Sequence, residues 1–272
     1  MAAVSTFDLL TGKDFLTAFG YGSMAAAIAT LAGFASRRSG RSAAPVGGLG
    51  LAVAAAVALG RVIDVPAEVW SGVVLLAVGA ALGSLTESFP VLVVGVLPGA
   101  WIMAFQLQLP GPRWVSALVI GALVGGVPLA ADFDRRYRDA GFGPALLALA
   151  VAGLFFTVPD TETAVVLLGV AVPMGVAGWP LRAVSLGAPG VAMSLGIFVW
   201  VAAVGGQARP ASVIGAVAAL GLLVAEPLGR RLLRTDVTVI DDLAADPSGA
   251  LVVGAAQFLL VFVASRVAGL RS

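Results

Sequence analysis

Apolar runs of about 18 residues or more, with hardly a charge inside them, follow one another along this chain. They lack the alternation of a barrel strand, so each must satisfy its backbone polar groups within itself, as a helix does. The residue balance points the same way: 60% hydrophobic and 11% charged, against roughly 45–50% and 25% in soluble domains. The expected fold class is all-α, a polytopic integral membrane bundle. Spans of about 20 residues give about ten transmembrane helices, at 15–35, 44–62, 69–86, 90–109, 114–131, 142–158, 163–179, 184–205, 210–228 and 248–268. The start of the chain, with Asp8 and Asp14 and no early basic residue, does not read as a cleavable signal peptide.

Orientation follows from the basic residues, which collect in cytoplasmic loops. One set of loops holds Arg37, Arg38, Arg41, Arg135, Arg136, Arg138, Arg182, Arg230, Arg231 and Arg234, including every cluster. The other holds Lys13, Arg61, Arg113, Arg209, Arg266 and Arg271, singly and beside span ends. The prediction is a multi-pass protein of the cell membrane with both termini outside and the arginine clusters in the cytoplasm.

The spans also repeat. Gly48-Leu49-Gly50 through Val65-Pro66 and Glu68 is written again as Gly141-Phe142-Gly143 through Val158-Pro159 and Glu162. Val73 to Leu76 recurs as Val165 to Leu168, and Leu97-Pro98-Gly99 answers to Ala188-Pro189-Gly190. A shorter echo pairs Val119-Ile120-Gly121-Ala122, leading to Asp132 and Arg135-Arg136, with Val213-Ile214-Gly215-Ala216, leading to Glu226 and Arg230-Arg231. The expected organisation is a 4+4+2 parallel repeat: residues 1–113, 114–209 and a two-helix partial repeat at 210–272. An even number of spans per unit relates the copies by an axis along the membrane normal. Glycines at i, i+4, namely Gly79 and Gly83, Gly95 and Gly99, and Gly121 and Gly125, are expected to let helix backbones approach closely.

The absence of cysteine and histidine removes thiolate nucleophiles, imidazole bases and the usual zinc ligands. A net charge of +1 implies no nucleic-acid partner. Gly48-x-Gly50 and Gly141-x-Gly143 follow no strand and lead to no Walker lysine, so they do not read as nucleotide loops.

Three constellations are candidates for function; no catalytic residue is assigned. The first is the pair of helix interruptions Pro98-Gly99 and Pro189-Gly190, with Pro173 in the neighbouring span. Proline removes an i to i−4 hydrogen bond and should kink or unwind the helix, freeing carbonyls. Paired interruptions in two halves mark the binding site of many transporters, and these residues are the expected substrate-binding set; the plainer reading is a kink. The second is Asp132 to Asp139. Asp132 and Asp134 are spaced to share a divalent metal such as Mg, while Arg135, Arg136 and Arg138 could hold a phosphate. The plainer reading is a short solvated loop whose arginines set topology. The third is the outer acids, Asp64, Glu68, Asp160 and Glu162, expected to cap the helices that follow them.

No ionisable residue falls at mid-membrane in this reading, which disfavours a proton-driven pump. The leading expectation is a secondary transporter or lipid translocase for an uncharged or lipid-like substrate, needing no cofactor. The alternatives are a metal-dependent transferase acting on a lipid-linked phosphate at the cytoplasmic face, with Mg, and a non-catalytic scaffold subunit packed against a membrane protein partner. Membrane lipid is the partner common to all three. Residues 230–248 read as a solvated connector whose arginines could touch anionic headgroups.

Overall fold

The computed structural model describes residues 67–86, 88–106, 113–137, 187–200, 220–246 and 248–269, with isolated positions elsewhere. Among the described residues the chain is all-helical and contains no strand. Its helices are α1 (Ala67–Leu85), α2 (Phe89–Gln106), α3 (Arg113–Arg136), α4 (Gly187–Trp200), α5 (Gly221–Leu233), α6 (Val239–Ala245) and α7 (Gly249–Gly269). α1, α2, α3, α4 and α7 overlap the third, fourth, fifth, eighth and tenth expected spans; α5 overlaps only the end of the ninth, 210–228, and runs on to Leu233, while α6 falls in the expected connector. The first, second, sixth and seventh lie outside the described residues, apart from single positions.

In α7, the segment Gly249–Val267 is long and apolar enough to cross a membrane; α1 and α2 carry shorter apolar runs, Ser71–Leu85 and Phe89–Ala104. Both short runs are apolar on every face, but the sizes differ by face. The buried side of α1 is Gly72, Val73, Leu76, Ala77, Gly79, Ala80 and Gly83, a helical spacing of mostly small residues. Its outer side carries Val74, Leu75, Val78, Leu82 and Leu85. In α2 the inner side is Leu92, Val96, Gly99, Ala100, Met103 and Ala104, and the outer side Val91, Val94, Leu97 and Trp101.

Small residues inside bring the two backbones together. A Cβ on Gly79 would overlap the Gly95 carbonyl, and one on Gly95 would lie 2.5 Å from the Gly79 carbonyl oxygen. Likewise, a Cβ on Gly83 would lie 2.6 Å from Leu92 Cα, and one on Gly99 would collide with the backbone of Leu76. The close approach expected of Gly79, Gly83, Gly95 and Gly99 is therefore a single crossing of α1 over α2. Gly121 and Gly125 differ: a Cβ on either meets nothing within 4 Å. On α3 it is Gly126 that faces a neighbour, with Leu220 Cδ2 3.0 Å from its would-be Cβ.

α1 is the central element of this part of the bundle, because α2 and α4 both pack on it while touching each other at few positions. Leu76 serves both contacts: its backbone meets Gly99 of α2, and its Cδ1 lies 3.2 Å from the would-be Cβ of Gly196 on α4. α3 packs on α2, α4 and α5, and α6, which lies between α5 and α7 in the chain, packs on α7.

Candidate functional site

The expected solvated loop after the fifth span is not a loop. α3 continues helical to Arg136 and buries Phe133, Asp134 and Tyr137. Helical spacing accounts for this: Phe133 and Tyr137, at i and i+4, share a face, their rings are 4.8 Å apart, and Tyr137 stacks on Phe142 at 5.6 Å. That aromatic face carries the acids and arginines on its flanks into contact with the ends of α4, α5 and α6.

Asp132 is the hub on one flank. It accepts from Arg135 Nη2 at 2.8 Å, from Arg230 Nη2 of α5 at 3.2 Å and from Arg231 Nη2 at 3.5 Å. Burial would raise its carboxyl, but the Arg135 hydrogen bond and the charges of Arg135, Arg230 and Arg231 outweigh this and hold it below the ordinary value of 3.8. Arg230 also donates through Nε to Glu226 Oε1 at 2.7 Å, so one guanidinium joins the acids of the two echo motifs. Arg231 lies 4.3 Å over the Phe89 ring, tying in the start of α2.

Tyr137 sits at the centre. Its hydroxyl lies 3.0 Å from Glu226 Oε1, 3.1 Å from Asp241 Oδ1 and 3.1 Å from Thr238 Oγ1. Burial, followed by the Glu226 charge and hydrogen bond against the opposing hydrogen bond from Thr238, pushes it up to about 12. The expected solvated connector 230–248 is likewise structured. The chain leaves α5 through Arg234 in the left-handed region (φ 52), then enters α6 at Thr238, whose N–H donates to Asp241 Oδ2 at 2.7 Å. Asp241 thus caps its own helix with one oxygen. Its carboxylate also accepts Arg136 Nε at 3.1 Å and Nη2 at 2.9 Å, which clips α6 to the end of α3. Burial raises Asp241, but the Thr238 N–H, Arg136 and Tyr137 lower it further, leaving it below 3.8.

The metal and phosphate residues are arranged differently from the pattern expected of them. On a helix, positions i and i+2 point about 200° apart, so Asp132 and Asp134 address different neighbours. Asp132 faces three arginines, while Asp134 is buried and accepts the Gly187 N–H at the start of α4 at 2.9 Å. Gly187 has φ 61, a conformation open to glycine, and a carboxylate there complements the positive end of α4. Arg135 and Arg136 are each paired with an acid, and Arg138 lies outside the described residues. No group of three or more acids, cysteines or histidines with metal-site geometry occurs among the described residues.

Of the substrate-binding set, Pro98 lies inside a helix that runs on uninterrupted, on its exposed side, and Gly99 is buried against α1. Pro189 is in the first turn of α4, where a missing N–H costs nothing; the positive φ of Gly187 marks the helix start. Gly190 is buried, and Pro173 lies outside the described residues. The two prolines therefore occupy different places in their helices. Of the outer acids, Glu68 falls in the first turn of α1, and Asp64, Asp160 and Glu162 lie outside the described residues.

Gln257 belongs to none of the constellations expected from the sequence. Residues 217–218 and 221–233 are helical, with a turn at Leu220 between them. Gln257 of α7, fully buried, donates through Nε2 to Ala218 O at 3.2 Å and accepts from the Leu222 N–H at 3.1 Å. These are the two backbone groups that an unbroken helix would join, so the Gln257 amide stands in the i to i−4 ladder. Gly221 makes room for it: a Cβ there would lie 2.9 Å from Gln257 Oε1. A lone glutamine inside the apolar run 248–268 was the available signal, since a buried amide needs partners.

Comparison with known proteins yields no match: no family model, no curated protein and no solved structure is similar to this chain.

Proposed function

We propose that this chain is a multi-pass membrane protein of about ten spans that moves an uncharged or lipid-like substrate across the bilayer. The Gln257 amide, bonded to Ala218 O and to the Leu222 N–H, is the feature that carries the reading. Transporters commonly build their sites from discontinuous helices, whose freed backbone groups line a path near the midplane. A polar amide buried in the most span-like helix and bonded to backbone in a neighbouring one fits that pattern. It also counts against a scaffold without interior polar chemistry. The transferase reading has no comparable support, because Asp132 and Asp134 diverge and Arg135 and Arg136 are each paired with an acid.

Two further observations support a multi-pass arrangement. Large apolar side chains on α1 and α2 point outward, with Val94 67% and Leu82 60% exposed, a distribution that suits lipid. The C-terminal ends of α3 and α5 meet the N-terminal ends of α2 and α4 through Arg231, Phe89, Asp134 and Gly187. Spans that alternate in direction, with their arginine clusters on one side, require this arrangement.

The test is reconstitution in vesicles with an uncharged, fluorescent short-chain glucosyl lipid as probe. Wild-type protein should move the probe faster than protein-free vesicles, and Gln257→Leu, which lets the Ala218–Leu222 bond close, should lose that flux while remaining folded. Unchanged flux in Gln257→Leu removes the proposal.

A further inference from the structure

Three guanidinium groups meet at Asp132, and its single charge does not balance them. Arg230 has Glu226 as a second acid at 2.7 Å, so Arg135 and Arg231 divide one carboxylate between them and a positive charge is left over. Both reach Asp132 through one nitrogen, Nη2, although a guanidinium carries five N–H donors in a rigid fork. The other donors are open to the outside: the Arg135 side chain is 72% exposed and that of Arg231 43%. The acids of α6 do not meet this need, because α6 is held on the Arg136 side of α3, where Arg136 donates to Asp241 and to the Asp236 carbonyl. The surroundings of Arg231 are apolar. Helical spacing puts Leu228, Arg231 and Leu232 on one face of α5, opposite Glu226 and Arg230. Both leucines are exposed, and the Arg231 guanidinium lies 4.3 Å over the exposed ring of Phe89. Leu85, at the end of α1, is exposed too, so the cationic pair borders the apolar outer sides of α1 and α2.

We infer that Arg135 and Arg231 bind the phosphate of an anionic phospholipid, whose acyl chains lie against Leu228, Leu232 and Phe89. The two guanidinium groups already converge on one carboxylate, which brings them within reach of a single phosphate, and each fork matches two phosphate oxygens. The unbalanced positive charge selects a headgroup with net negative charge. A zwitterionic lipid offers the same phosphate but adds a cation, which the arginines repel. A free phosphate satisfies the arginines and leaves the leucines and Phe89 uncovered, so the combination of charge and apolar surface fits a lipid. Asp132 stays in place beneath the phosphate and holds both forks in position. The site rests on the membrane placement proposed above and not on transport.

Native mass spectrometry of the full-length protein released from a neutral detergent tests it, with dioleoyl phosphatidylglycerol, dioleoyl phosphatidylcholine or glycerol 3-phosphate added. Phosphatidylglycerol should bind about tenfold more tightly than phosphatidylcholine, and glycerol 3-phosphate should not be retained. Arg135→Gln and Arg231→Gln should each weaken phosphatidylglycerol binding about tenfold, to the phosphatidylcholine level. Arg266→Gln, which removes an equal charge from α7, should leave it unchanged. The exposed Arg135 pair contributes little to folding, so Arg135→Gln decides the matter should Arg231→Gln fail to fold. Equal binding of the two lipids, retention of glycerol 3-phosphate, a preference kept in Arg135→Gln or an equal loss in Arg266→Gln overturns the site and leaves the transport reading standing. Protein that stays dispersed without detergent overturns the membrane placement and the site together.

Discussion

Gly79 of α1 and Gly95 of α2 meet backbone to backbone, so closely that a side chain on either would enter the other's carbonyl. In the lipid setting proposed above, helices have no hydrophobic reason to associate, so close packing of this kind would hold the pair together. Gly95→Val should therefore push α1 and α2 apart at a cost of about 3 kcal/mol or more. Gly121→Ala, which meets open space on α3, should be neutral or stabilising by about 0.5–1 kcal/mol. Thermal denaturation in detergent, read by circular dichroism, compares the two.

Acid should loosen the polar end of the bundle. Asp132 and Asp241 are both lowered in the fold, so the stability they supply is present above the unfolded value of 3.8 and is lost as pH falls below it, through their folded values. The melting temperature should drop steeply below about pH 4. Asp132→Asn should flatten that drop while lowering stability at neutral pH by about 1–2 kcal/mol, through weakened contacts to Arg135, Arg230 and Arg231.

Alkali should act through Tyr137. Its folded value, raised from 10.0 to about 12, means that the native state holds this proton more tightly than the unfolded one. The associated stability is complete below pH 10.0 and disappears as pH rises through about 12. Melting temperatures recorded across that interval should fall more steeply for wild type than for Tyr137→Phe.

Removal of the Asp134 carboxylate should release the start of α4. Asp134→Ala leaves the Gly187 N–H without this acceptor and the positive helix end without its charge, at a cost of about 1–3 kcal/mol. Added Mg should not shift the melting temperature of the wild type, since Asp132 and Asp134 point to different neighbours. A metal-dependent shift abolished by Asp134→Asn would show that the two acids can converge.

The all-helical character is legible in the residues, since five expected helices overlap described ones along most of their length, and the Gly79–Gly83 and Gly95–Gly99 pairs coincide with a real crossing. The site is less so. The charges of Asp132 to Arg136 suggested solvent, yet Phe133 and Tyr137 at i, i+4 draw the segment inward as helix. Pro98 and Pro189 match in sequence but not in place: Pro189 sits in the first turn of α4, where a missing N–H costs nothing, whereas Pro98 lies in the middle of α2, which runs on through it.

Local chemistry decided which stretches are helical and apolar, where arginines gather, and which glycines are able to pack, because periodicity, charge and side-chain size are properties of neighbours along the chain. Tertiary structure decided the partners: Glu226 with Tyr137, Asp241 with Arg136, Asp134 with Gly187, and Gln257 with the backbone of Ala218 and Leu222. Those contacts join residues far apart in sequence, and the register and rotation of packed helices, which no single segment encodes, determine which polar atoms come within hydrogen-bonding reach.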